Sequence, residues 1–214
     1  GILRTKLVSL ISNFARYVSD KFKALQLASL VIAVVVCVFA FEYAFFEYGW
    51  FVWISSILLG FSLLERSARA NAFQLMFFSG CSWFAITRWL PIGINSMNPS
   101  YPILGYGTLL VLALLSSFPY LIAGWIIGKR RWLSKNNPRP LSAAALISLL
   151  VELWPARLPG SLSNPLYQNI SIIQIVDLGG TGFLSFIVYA VGFLIATLLF
   201  LVKTSGERLT IFLV

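Results

Sequence analysis

Few residues in this chain have the type and spacing to do chemistry. Glu152, Trp154 and Arg157 fall together where an apolar run gives way to a stretch rich in Pro, Gly and Asn. A carboxylate close to a membrane-embedded segment is costly and marks a functional candidate. The competing reading is that Glu152 pairs with Arg157 and anchors a re-entrant loop. Arg88 beside Trp89 fits either a snorkelling cation next to an interfacial tryptophan or a contact to a lipid phosphate. Glu42 and Glu47 stand in a belt of Phe and Tyr. Five residues apart, they would project about 140° from one another on a helix, so they read as solvated interface residues rather than a carboxylate pair.

The remaining candidates are structural. Gly179, Gly180 and Gly182 lead into an apolar run without the Lys-Ser/Thr ending of a phosphate loop, so they imply a turn or close helix packing. Gly124 and Gly128 form a small-xxx-small pair that could seat a neighbouring helix. The chain has no histidine, which excludes Ser-His-Asp and Cys-His catalysis and histidine ligation of metal or haem. Cys37 and Cys81 lie inside apolar runs and read as small buried hydrophobes. No nucleophile has a recognisable base beside it, no metal-ligand spacing is present, and no cofactor is implied.

The elements that must position these residues are helices in a bilayer. Hydrophobic residues make up 59% of the chain and charged residues 11%, against roughly 25% charged in soluble domains. Mean hydropathy is +0.87. The apolar runs are continuous rather than alternating and approach the roughly 17–25 residues that cross a bilayer as a helix. The sequence therefore predicts an all-α, polytopic transmembrane bundle of about six spans. These fall near 25–41, 50–64, 72–90, 103–128, 141–154 and 182–202, with polar connections at 91–102 and 155–180.

Residues 1–24 form a separate basic segment. Its Leu and Phe residues recur at helical spacing between Arg4, Lys6, Arg16, Lys21 and Lys23. It reads either as an amphipathic helix in the membrane interface or as a cytoplasmic pre-helix that fixes orientation. The bundle then occupies 25–214. A cytoplasmic N-terminus places every Lys and Arg except Arg88 and Arg157 on the cytoplasmic side. The net charge of +9 is thus explained by topology, and nucleic acid is not an expected partner. After Lys203–Arg208 an apolar run resumes at Leu209–Val214. It covers only about 9 Å of the hydrocarbon core, so either more protein follows or the tail packs against a partner.

Two stretches, 152–165 and 167–186, resemble the membrane domain of the apolipoprotein N-acyltransferase family. Tyr167, Gln168, Asn169, Gln174, Asp177, Gly180, Gly182, Ser185 and Phe186 carry the closer match. Glu152, Trp154 and Arg157 match more loosely, and the aromatic run Phe77–Trp83 resembles the third span. The resemblance implies a bacterial inner-membrane protein of lipoprotein biosynthesis. It further implies that the complete enzyme moves an acyl chain from membrane phospholipid to the N-terminal cysteine of a lipoprotein. The catalytic Glu-Lys-Cys triad of that family belongs to a periplasmic nitrilase-like domain to which no residue here corresponds. The chain alone is therefore expected to be non-catalytic, with phospholipid, and a lipoprotein or other membrane subunits, as partners. The alternative is a non-catalytic subunit or lipid-binding scaffold of a larger membrane complex.

Overall fold

A computed structural model of the chain describes residues 2–44, 48–97, 102–155 and 162–212. Long apolar stretches with no water to satisfy their backbone fold as helices, and helices account for nearly all of the structure. In chain order these are α1 (Ile2–Glu42), α2 (Phe51–Leu63), α3 (Ala68–Ile86), α4 (Leu90–Met97), α5 (Pro102–Arg130), α6 (Pro140–Leu153) and α7 (Ile170–Phe212). A two-residue hairpin, β1 (Leu133–Ser134) with β2 (Asn137–Pro138), joins α5 to α6. Single 3-10 turns lie at Tyr48–Trp50 and Asn164–Leu166.

Three helices are both long and apolar enough to cross a membrane: Asp20–Glu42 within α1, Ile103–Arg130 within α5, and Val176–Val202 within α7. The chain is an all-α membrane protein. Helices α2 and α6 are apolar but shorter, at 13 and 14 residues. Helix α3 has 19 residues, yet it carries Arg69, Asn71, Gln74, Ser79 and Ser82. Four of those five are buried, which lowers its hydropathy without exposing the polar groups to lipid.

Small residues and hydroxyls hold the bundle together, as expected where lipid is as apolar as the core. The pairing of α3 with α5 is the most extensive. Glycine permits it: a Cβ on Gly124 would collide with the backbone of Asn71, and one on Gly128 would lie 2.5 Å from Ala68 Cα. On α2, Ser55 Oγ donates to Ala33 O of α1 at 2.8 Å, and Ser56 Oγ donates to Val188 O of α7 at 3.0 Å. The phenol oxygens of Tyr120 and Tyr189 lie 3.0 Å apart and tie α5 to α7. Gln26, buried in α1, donates to the free carbonyl of Leu64 at 2.7 Å and to Phe61 O at 3.2 Å, closing the C-terminal end of α2.

The two connections expected to be irregular contain helix. Residues 90–97 form α4, which folds back on α5 because Gly105 leaves room for Pro91 and Asn95. Residues 170–179 form the first part of α7. Asn169 Oδ1 accepts from the Ile172 amide at 3.1 Å, satisfying one of the unpaired donors of that first turn. At Gly180 (φ 73°, ψ 179°) the helix breaks before continuing as the long apolar segment. Helix α1 runs without interruption through the basic segment and the first apolar segment.

Candidate functional site

The ends of the helices sort into two groups. At one end meet the C-termini of α1, α3 and α6, the two 3-10 turns and the break in α7. Glu42 closes α1, and its Oε1 lies 2.7 Å from Arg88 Nη1, just past the end of α3. The pairing was invisible in the local spacing of Glu42 and Glu47, because the partner lies far along the chain. Glu47 itself falls outside the described residues.

Beside this ion pair a cavity of about 620 Å³ opens between α1, α3, the Asn164–Leu166 turn and α7. Its walls are apolar and aromatic, with Phe41, Trp83, Trp89, Tyr167, Val176 and Leu184 prominent. Thr87, Ser163 and Thr181 supply the polar groups. The Thr87 hydroxyl donates to Trp83 O at 2.6 Å, and Ser163 Oγ donates to Thr181 O at 3.3 Å. Ser185 Oγ donates to Ser163 Oγ at 3.2 Å and fixes the turn against α7. With the Thr87 and Ser163 hydroxyls engaged, the cavity presents a largely apolar interior with a charged pair at its border.

Trp89 is 62% exposed and lines the cavity. Arg88, between the lining residues Thr87 and Trp89, has a largely exposed side chain, 69%, while that of Glu42 is 27% exposed. Glu152 is exposed at the end of α6 and packs its carboxylate against Gly182, where an added Cβ would lie 3.2 Å from Glu152 Oε2. Trp154 packs against Phe118 of α5 in a tilted pair with ring centroids 5.3 Å apart, and its buried indole N–H meets no acceptor among the described residues. Arg157 lies outside the described residues. Neither Glu152 nor Trp154 lines the cavity, so the structure divides the expected candidates into a cavity group and an α5–α6–α7 packing group.

The glycine trio has structural roles. Gly180 provides the positive φ of the break, Gly182 seats Glu152, and Gly179 packs against the Phe183 ring. Cys37 is buried in the core and Cys81 is half-buried on α3, and both are free thiols. Among the described residues no group of three His, Cys, Asp or Glu side chains could hold a metal. The sequence reading missed Phe41, Val176 and Leu184. Each looks like any other apolar residue of a span, and only the assembled helix ends bring them together.

The family model for the apolipoprotein N-acyltransferase N-terminal domain matches residues 34–194. The chain belongs to this family. The match begins within the apolar part of α1 and ends within α7, so it takes in the apolar cavity and every described element that lines it. Within the N-acyltransferase stretch 167–186, the structure gives several residues a mechanical role: Asn169 caps α7, Gly180 breaks it, Gly182 receives Glu152 and Ser185 ties down Ser163. Comparison with curated proteins and with solved structures gave no match.

Proposed function

We propose that this acyltransferase-family membrane domain holds the phospholipid acyl donor, with an acyl chain in the cavity between α1, α3 and α7 and the lipid phosphate beside Arg88. One observation carries the reading: an apolar cavity of about 620 Å³ lies next to an exposed arginine, within the region matched by the family. Its size falls within the roughly 300–1,000 Å³ of small-molecule sites. An acyl chain that enters from the bilayer gains little by hydrophobic transfer, because lipid is as apolar as the cavity wall, so close packing in the cavity and the headgroup contact supply the preference. Arg88 adds a charge-assisted hydrogen bond to phosphate and sets the depth of the headgroup.

In this reading the chain binds and orients lipid, and bond making is left to groups outside the described residues. The burial of Cys37 in the core supports that division, because a buried thiol has no access to an ester. The six helices α1, α2, α3, α5, α6 and α7 each cross the bacterial inner membrane, with the N-terminus in the cytoplasm and the cavity on the periplasmic side. The segregation of Lys and Arg supports this orientation.

Native mass spectrometry of the chain released from a mild detergent tests the proposal. The expected result is a co-purifying phospholipid that is lost in Val176→Trp, which fills the cavity. Equal retention by the wild type and Val176→Trp contradicts it.

A further inference from the structure

The opposite end of the bundle holds a second cavity, of about 380 Å³, between the α2–α3 connection, α5 and the hairpin. Ser67 lines it, whereas Thr87 lines the first cavity. Between these two residues α3 rises about 28 Å over its 19 residues. That is close to the thickness of a hydrocarbon core, so the two cavities face opposite membrane surfaces.

The walls here are polar and basic. Arg66 and Arg131 both line the cavity, and among the described residues neither has a carboxylate within ion-pair reach. The one acid in the wall, Glu65, turns its Oε1 to the Lys135 amide at 2.5 Å, and its charge offsets that of one of the two arginines. Arg66 Nη2 donates to Lys23 O at 3.1 Å, which fixes the guanidinium, but its buried Nε has no partner. Burial without a counter-charge lowers the pKa of Arg66.

Two more polar groups in the wall are almost fully buried and unpaired. Asn71 is 2% exposed and Ser134 is 7% exposed, and neither Asn71 Oδ1 nor Ser134 Oγ has a hydrogen-bond partner. Buried polar atoms are nearly always satisfied. The Arg66 Nε–H and the Ser134 hydroxyl can both donate to an anion, whereas Asn71 Oδ1 only accepts and takes no part in holding one. The first turn of α3, capped by Ser67, adds its partial positive charge. The backbone is also unusual here. Glu65 (φ 54°) and Arg131 (φ 53°) are the two non-glycine residues with positive φ among the described residues, and both border the cavity.

We infer that this second cavity binds a phosphate group, held by Arg66, Arg131 and the Ser134 hydroxyl. The phosphate can come from an anionic lipid headgroup of the adjoining leaflet or from a free phosphate compound. Basic pockets between helices on the cytoplasmic side suit the former. The site is independent of the acyl-donor cavity, so the two can fail separately.

The test uses the full chain. Its thermal unfolding is followed in detergent against inorganic phosphate, with chloride at equal ionic strength as reference. Separately, lipid retained from phosphatidylcholine nanodiscs with or without phosphatidylglycerol is measured. A phosphate-dependent rise in Tm, with apparent affinity weakened about tenfold in Arg66→Gln and unchanged in Arg69→Gln, assigns a free phosphate ligand. No response to phosphate, but phosphatidylglycerol retained by the wild type and lost in Arg66→Gln, assigns a lipid headgroup. Should Arg66→Gln fail to fold, Ser134→Ala removes one orphan hydroxyl and carries the same comparison. Absence of both effects overturns the site, as does an equal loss in Arg69→Gln, which would reduce the binding to diffuse surface charge.

Discussion

Glu42 Oε1 and Arg88 Nη1, 2.7 Å apart, join the last residue of α1 to the first turn beyond α3. Their sequence neighbours Phe41, Thr87 and Trp89 line the apolar cavity, so the pair braces two of its walls. An exposed pair of this kind contributes about 0–1 kcal/mol to stability. Glu42→Gln should therefore leave the melting temperature nearly unchanged while freeing Arg88 for phosphate. Arg88→Ala should weaken retained phospholipid several-fold more than Glu42→Gln. Lipid counts from native mass spectrometry of the two variants check the ordering, and a reversed ordering assigns Arg88 to bracing alone.

Gly124→Ala should separate α3 from α5. The added Cβ meets the backbone of Asn71, which cannot rotate away as a side chain would. Overpacking of this kind costs about 1–3 kcal/mol. A lower thermal midpoint in detergent is expected. Gly107→Ala on the same helix, where a Cβ meets nothing within 4 Å, should change little.

Gly180→Ala should destabilise the break in α7. A φ of 73° with ψ near 180° is a conformation nearly confined to glycine, and forcing another residue there costs about 1–3 kcal/mol. Space is not the obstacle, because no atom lies within 4 Å of the added Cβ. Thr181 and Val176 flank the break and line the cavity. The same variant should therefore lose bound lipid, as measured by extraction and mass spectrometry.

Tyr120 and Tyr189 should be coupled. Their hydroxyls share one hydrogen bond inside the bundle, and bonds of this class between membrane helices average about 0.6 kcal/mol. Tyr120→Phe and Tyr189→Phe should each destabilise modestly, and the double variant should cost less than their sum. Strict additivity in a double-mutant cycle would show that the bond contributes nothing.

Much of the bundle was legible in the sequence because long apolar runs have few alternatives in a bilayer. The segments expected at 25–41, 103–128 and 182–202 lie within α1, α5 and α7. The spacing of Gly124 and Gly128 marked a place where a neighbouring helix could sit, and the structure seats α3 there. Helix α4 and the first part of α7 were not legible. Pro91, Asn95 and Asn98 look like loop residues, and the helicity of 170–179 rests on a cap at Asn169 and a break at Gly180 rather than on apolar periodicity. Of the site, Arg88 and Trp89 could be found from type and neighbourhood. Glu42 as the partner of Arg88, and the apolar wall of Phe41, Val176 and Leu184, depend on which helix ends converge. The polar cavity at the other end was hidden for the same reason, since Arg66 and Arg131 read there as topology signals.

The central claim is that the apolar cavity between α1, α3 and α7 holds a phospholipid acyl chain, and photolabelling tests it most directly. The chain is reconstituted with a phospholipid bearing a diazirine near the end of one acyl chain, irradiated and mapped by peptide mass spectrometry. The account predicts adducts concentrated on cavity residues such as Trp83, Val176 and Leu184, and their loss in Val176→Trp. Adducts confined to the outward-facing residues of α5, such as Leu110 and Leu114, with none in the cavity, would contradict it.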